Sequence, residues 1–375
     1  MLALCPSRIL TPTGFETERC LLIEDGRIVD LVSNCPSDIA PQNLDGDLVP
    51  GFIDLQVNGG GGVLFNDQPT IEGIEAIARA HRAFGTTGFL PTLISDDLEV
   101  IDRAIRAVER AIAKGVPGVL GIHIEGPFIN PEKRGIHDAN KIRNIDKSAV
   151  DLLASLSNGV TLVTLAPELD PPGIIGELVA RGVVVAAGHT AASYEQTRES
   201  LDEGLTGFTH LFNAMTQLTA RQPGVVGAAL ESNSAWCGII VDGFHVHPAS
   251  LRIALAAKGP DKLVLVTDAM PTVGSDRTTF VLGDQPIHLD NGRLAAEGGT
   301  LAGSNLDMAS AVANAVEALQ IDLATAIRMA SFNPARALGL DHETGAIRPG
   351  LRADLVLLNA DGLVQRTWIS GVGSP

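Results

Sequence analysis

Gly121-Ile-His-Ile-Glu-Gly-Pro127 reads as a short apolar strand that presents a carboxylate, Glu125, just where Gly-Pro turns the backbone. Two other stretches repeat the arrangement with a histidine. Ala187-Gly-His-Thr190 follows Val183-Val-Val-Ala186, and Thr209-His-Leu-Phe-Asn213 follows Gly207-Phe208. A fourth run, Leu263-Val-Leu-Val-Thr-Asp268, ends in an aspartate. From Pro50 onward such runs alternate with longer helical patterns, as parallel strands joined by helical crossovers do. Candidate strands end near Gln56, Thr92, His123, Thr164, Ala186, His210, Val241 and Val266, about the eight needed to close a (β/α)8 TIM-like barrel of the α/β class.

The segments between the strands carry helix signals. Leu98, Ile101, Ile105, Val108 and Ile112 recur at helical spacing, with Ser95 and Asp96 placed to cap the start and Gly115 to end it. Ser193 and Gln196 form a capping-box pattern before another helix, which Gly204 would terminate. Both chain ends differ from this middle. Residues 1–48 and 343–375 read as short strands and turns, with a hairpin at Asp25-Gly26. They are expected to form one small sheet domain around a barrel of residues 49–342, with the strand-rich segment 278–296 as an insert or a join to that sheet.

Bulk properties narrow the function classes. A chain of 375 residues that is 45% hydrophobic can bury a large core. A formal net charge of −17 argues against nucleic acid or an anionic membrane as partner, though local basic groups can still hold an anionic small molecule. Cys5, Cys20, Cys35 and Cys237 show no Cys-x-x-Cys pair, so neither a thiolate zinc site nor a disulfide framework is expected. The first residues lack a secretory pattern, and no apolar stretch reaches the roughly 18–20 residues of a membrane span, so a cytoplasmic location is expected.

Barrel enzymes carry their chemistry at the carboxyl ends of the strands. Glu125 there could equally face solvent, and one strand-end histidine is more often a hydrogen-bonded core residue than a ligand. Two histidines on successive strands plus an earlier carboxylate shift the balance, because imidazole and carboxylate together suit zinc or iron. Glu125, His189 and His210 are therefore the expected metal ligands. His123 points the same way along its strand, either as simple packing or as a group behind the ligands. Asp268 could cap a helix, but beside a metal set it reads as a general base for a water held there. The resulting expectation is a metal-dependent hydrolase.

Together these residues resemble the amidohydrolase superfamily, and within it the N-acetylglucosamine-6-phosphate deacetylase family. The resemblance is carried by Pro50-Gly-Phe-Ile-Asp-Leu-Gln-Val-Asn-Gly59, His123-Ile-Glu-Gly-Pro127, Ala187-Gly-His-Thr190, Thr209-His-Leu-Phe-Asn-Ala-Met215, Val241-Asp-Gly-Phe-His245, Val266-Thr-Asp-Ala269 and Leu301-Ala-Gly-Ser304. It implies a barrel plus a small β-sandwich domain, and hydrolysis of the acetamide of N-acetyl-D-glucosamine 6-phosphate to acetate and glucosamine 6-phosphate. It also implies Glu125, His189 and His210 as ligands, Asp268 as the catalytic acid/base, His137 as a catalytic partner that polarises the carbonyl, and a homodimer. Substrate contacts fall, by the same resemblance, on Ile136, His137, Asn213, Ala214, Arg221, Asp242, Gly243, Phe244, His245, Leu301, Ala302 and Gly303. Arg221 and His245 are the natural partners of a phosphate or sugar hydroxyl.

Many superfamily members begin the barrel with His-x-His, which serves a second metal. This chain has Gln56-Val-Asn58, and amides are poor ligands beside imidazole and carboxylate, so one divalent metal per subunit is expected, with zinc ahead of iron(II). His245 and His247 form another His-x-His, but barrel order separates it from Glu125, and His247 is left without a role. Gly59–Gly62 lacks the Lys-Ser/Thr ending of a phosphate loop and reads as a turn. Two alternatives stay open: an amidohydrolase acting on another N-acyl amino sugar or a cyclic amide, and a catalytically silent binding homologue.

Overall fold

The computed structural model describes residues 1–374. Eight strands form one parallel ladder in chain order: Phe52–Val57, Thr86–Ile94, Gly121–Glu125, Val160–Leu165, Val184–Ala187, Gly207–Phe208, Trp236–Ile239 and Leu263–Leu265. They are called barrel strands one to eight. The third and seventh are displaced by two residues from the expected positions. Strand eight makes no ladder with strand one. Closure comes just beyond them, where the Asp268 amide donates to the Gln56 carbonyl at 3.0 Å and the Asn58 amide to the Ala269 carbonyl at 2.9 Å.

The crossover helices pack as their periodicity predicts. In helix Leu98–Ala113 the buried face is Ile101, Ala104, Ile105, Val108 and Ala111. Its N-cap, however, is Asp97, without a side-chain cap bond. Ser95 is instead drawn to Nδ1 of His137 at 2.7 Å, and Asp96 accepts from Asn66 at 3.0 Å, so tertiary partners outcompete local capping. Helix Tyr194–Asp202 begins with the expected Ser193/Gln196 capping box.

Both chain ends meet in a single eight-stranded sheet. Its join is strand Pro41–Pro50, which pairs in parallel with Leu2–Thr11 on one side and antiparallel with Leu355–Leu358 on the other. This sheet has a core of its own, including Leu4, Ile9, Leu21, Leu48, Leu355 and Trp368. Asp25 and Gly26, both at positive φ, turn the expected hairpin. Gly59-Gly60 and Val63-Leu64 form a two-stranded hairpin after strand one.

Two expectations are corrected. Residues 279–296 do not join the terminal sheet. They fold into a separate three-stranded antiparallel sheet whose apolar face, Phe280, Leu282, Ile287 and Leu294, packs on Leu64, Ile94 and Met270 at the barrel mouth. Cys5 and Cys20 are not free thiols but form a disulfide. The cause is register: Leu4 lies opposite Leu21 in an antiparallel pair, which brings residues 5 and 20 face to face. Cys35 and Cys237 remain free. Among the described residues no helix is long and apolar enough to cross a membrane.

Trp368 is 1% exposed and is the largest side chain in the terminal-sheet core. Its replacement by alanine is expected to destabilise the fold by about 3–5 kcal/mol. Calorimetry should show this as a lowered melting midpoint.

Candidate metal and catalytic site

Glu125 is the last residue of barrel strand three, while His189 and His210 stand just past the ends of strands five and six. All three are buried, and their ligand atoms converge. His210 Nε2 lies 3.0 Å from Glu125 Oε1 and 3.0 Å from His189 Nε2, and His189 Nε2 lies 3.3 Å from Glu125 Oε1. Tetrahedral ligands at bond lengths near 2.0–2.1 Å stand about 3.3–3.4 Å apart, so this triangle has the size of one face of such a site. The donor set therefore fits a divalent cation.

The backbone bends to make that triangle. His189, His210 and Asp268 take left-handed φ values of 49°, 33° and 55°. Such conformations cost an L-residue on the order of 1–3 kcal/mol each and persist where the surroundings impose them. At His189 the surroundings include Glu168, which accepts from the Thr190 hydroxyl at 2.5 Å and the Ala191 amide at 2.6 Å. The Gly126 φ of 81° turns the chain immediately after Glu125, and a Cβ there would lie 2.2 Å from the Ser95 hydroxyl. Only glycine fits that turn.

Hydrogen bonds assign the histidine tautomers. His189 Nδ1 faces the Lys133 carbonyl at 2.8 Å and must carry the proton, which leaves Nε2 as a lone pair towards the site. His137 is the reverse case. Its Nδ1 accepts from the Ser95 amide at 3.3 Å, so the proton resides on Nε2. Burial, followed by the neighbouring His189, pushes His137 down to about 3, so it is a neutral donor. His123 is likewise pushed down by burial, to about 4, and bonds Thr92 and Thr164 at 3.2 and 2.8 Å beneath the ligands. Burial favours the neutral Glu125 acid, but the two facing imidazoles outweigh it and hold the carboxyl well below its usual range.

Asp268 stands across from the ligands, on the far side of the seam. Its Oδ1 accepts from Gln56 Nε2 at 3.1 Å and Asn58 Nδ2 at 2.6 Å, and Gln56 Nε2 also reaches both Glu125 oxygens at 3.1 Å. Burial, then the charge of Glu125, pushes Asp268 up to about 6. A carboxyl tuned there can both take and return a proton near neutrality.

These groups open into a cavity of about 240 Å³ at the carboxyl end of the barrel. Glu125, Ile136, His137, His189, His210, Asn213, Ala214, His245, Asp268, Leu301 and Gly303 line it together. Other expected residues do not. Ala302 is buried in the core of the 279–296 sheet. Asp242 lies behind the wall, bonded to His245 Nδ1 at 2.6 Å, and so orients that ring. Gly243, Phe244 and Arg221 are absent from the lining; Phe244 is 43% exposed, and Arg221 is also at the surface. His247 caps helix Pro248–Lys258 by accepting the Ala249 amide.

The sequence reading missed Ile94, Gly135, Met270 and Thr300 in the lining, and Ser95, Lys133 and Glu168 as supports. None carries a signal in a single sequence, because each arrives from a loop or strand whose only link to the site is spatial. A wider cleft of about 560 Å³ lies under the opposite end of the barrel, lined by Arg328, Arg336 and Arg348 without any histidine.

Comparison with known proteins agrees with this geometry. A sequence profile described as "Amidohydrolase family" matches residues 48–372. The chain is 44% identical to an N-acetylgalactosamine-6-phosphate deacetylase of Shewanella sp. (strain ANA-3), over 97% of this chain and 94% of that one. It is 36% identical to an N-acetylglucosamine-6-phosphate deacetylase of Haemophilus influenzae, over 93% of each. The crystal structure of N-acetylglucosamine-6-phosphate deacetylase from Pasteurella multocida superposes with a TM-score of 0.95 at 33% identity, covering 100% of this chain and 99% of that one. With that profile spanning the barrel and its flanking strands, the chain belongs to the amidohydrolase family.

Proposed function

We propose that the chain hydrolyses the acetamide of an N-acetylhexosamine 6-phosphate, and first of N-acetyl-D-glucosamine 6-phosphate, to the free amino sugar phosphate and acetate. The observation that carries this is the convergence of Glu125, His189 and His210 opposite Asp268 in one cavity of about 240 Å³. That volume suits a single sugar rather than a polymer. The relatives named above support the substrate class.

A divalent cation held by Glu125, His189 and His210, with zinc the best match to the donor set, would polarise the amide carbonyl and acidify a water. Asp268 takes the proton of the attacking water. His137 directs its Nε2–H at the carbonyl oxygen, where negative charge develops. Asp268 then returns the proton to the amine nitrogen as the C–N bond breaks, so that a neutral amine departs. Gln56 and Asn58 turn their amide nitrogens to the two carboxylates, where other superfamily members hold a second metal, and this supports a single cation per chain. His245, braced by Asp242, offers its free ring nitrogen to the sugar. Arg221, outside its own chain's cavity, suits a phosphate contact in a homodimer.

A second sugar is favoured by one finding: the Shewanella relative, at 44% identity, is a deacetylase of the C4 epimer. Kinetics on both epimers, with and without the 6-phosphate, should show activity on the phosphorylated sugars and rank the two. Absence of acetate release from either sugar, in metal-replete protein, would remove this reading.

Elemental analysis of protein purified without added metal should find about one divalent ion per chain, and His189→Ala should lower this towards none. Asp268→Asn should keep metal content and KM while kcat falls on the order of 10²–10⁴-fold. Activity of that variant near the parent's would exclude Asp268 as the proton carrier.

A further inference from the structure

Barrel strand one carries one inward carboxylate, Asp54, one step below Gln56 on the same face. It is 0% exposed, touches no basic residue, and takes no part in the chemistry derived above. Burial pushes its carboxyl up to about 7 in spite of three donors. An apolar residue would be cheaper to bury at that depth, so what the donors do with this carboxylate decides its meaning.

All of those donors belong to the seam. Asp54 Oδ2 accepts from the Thr267 hydroxyl at 2.5 Å, and Oδ1 accepts from the amides of Gln56 at 3.2 Å and Thr267 at 3.3 Å. Gln56 and Thr267 both bear on Asp268, beside Asn58, whose Nδ2 donates to its carboxylate at 2.6 Å. Gln56 receives the Asp268 amide on its carbonyl at 3.0 Å and donates Nε2 to the Asp268 carboxylate at 3.1 Å. Thr267 is its chain neighbour. Ser304 completes the clamp, giving its hydroxyl to the Thr267 carbonyl at 2.6 Å and its amide to the Asp268 carbonyl at 2.8 Å. Gly303 follows closely, and a Cβ there would come within 2.7 Å of that same carbonyl.

Asp268 itself needs such a clamp. Its φ of 55° is one an L-residue leaves readily, and strands eight and one share no continuous ladder, only the few backbone bonds just beyond their ends. We propose that Asp54 is a positioning residue for the reaction: by fixing the Gln56 and Thr267 backbones across the seam, it holds the Asp268 carboxylate over the reacting water. This rests on the deacetylase reading. Asp54 makes no hydrogen bond to Glu125, His189 or His210; its hydrogen bonds reach Asp268 through Thr267 and Gln56.

The test compares the metal-loaded parent with Asp54→Ala, Thr267→Val and Thr267→Ser for kcat, KM and metal per chain. Asp54→Ala removes both acceptor oxygens and the three hydrogen bonds they accept. Thr267→Val keeps shape but removes the hydroxyl, and Thr267→Ser restores it. In Asp54→Ala and Thr267→Val, kcat should fall by about 10–10²-fold, with KM and metal content held within about twofold. Thr267→Ser should stay within about threefold of the parent. Should Asp54→Ala not fold, the two Thr267 variants decide the matter. Unchanged kcat in Thr267→Val, equal damage from Thr267→Ser, or metal loss parallel to the loss of kcat would each overturn the proposal. A parent inactive on both sugar phosphates would instead overturn the deacetylase reading, and this inference with it.

Discussion

Two imidazole nitrogens and a carboxylate oxygen held within 3.3 Å of one another, under nearly complete burial, are the constraint on which the rest of the structure depends. Three such donor groups converging in a medium of low dielectric form a site that fits a divalent cation. Holding it open needs a rigid frame. Barrel strands three, five and six supply the frame, and the positive φ at His189 and His210 supplies the aim. Glu168 and the Lys133 carbonyl then keep His189 in place from behind.

Asp268 answers to a different constraint. Glu125 and Asp268 lie on opposite sides of Gln56, whose single side-chain nitrogen reaches both. Burial raises the proton affinity of Asp268, and the charge of Glu125 adds to the effect. An amide at residue 56 lets both stand there, its one side-chain nitrogen donating to each. The unladdered seam gives Asp268 its reach across the barrel mouth. It also makes its position depend on a few backbone bonds and on the side chains of Gln56 and Asn58.

The walls of the cavity come from parts with separate structural origins. The 279–296 sheet buries its own apolar face on the barrel mouth, and in doing so brings Leu301 and Gly303 to the substrate side. The loop of Ile136 and His137 is pinned by Ser95, which gave up its place as a helix cap. Local stability was exchanged for site geometry there, the usual direction where a loop carries function.

Periodicity and residue type were enough to read the eight barrel strands, the terminal strands and the strand-end placement of Glu125, His189, His210 and Asp268, because strand alternation and strand-end placement are local properties. The capping box at Ser193 and the hairpin at Asp25-Gly26 were legible for the same reason. Pairings across the chain were not. The register that joins Cys5 to Cys20, the separate sheet of 279–296, the withdrawal of Phe244 and Arg221 from the cavity, and the contacts of Ser95 and Glu168 all follow from packing between distant segments. Asp54 shows the difference most clearly: in the sequence it is one acidic residue in an apolar strand, and only the fold reveals that it bonds Gln56 and Thr267, the one a partner of Asp268 and the other its chain neighbour.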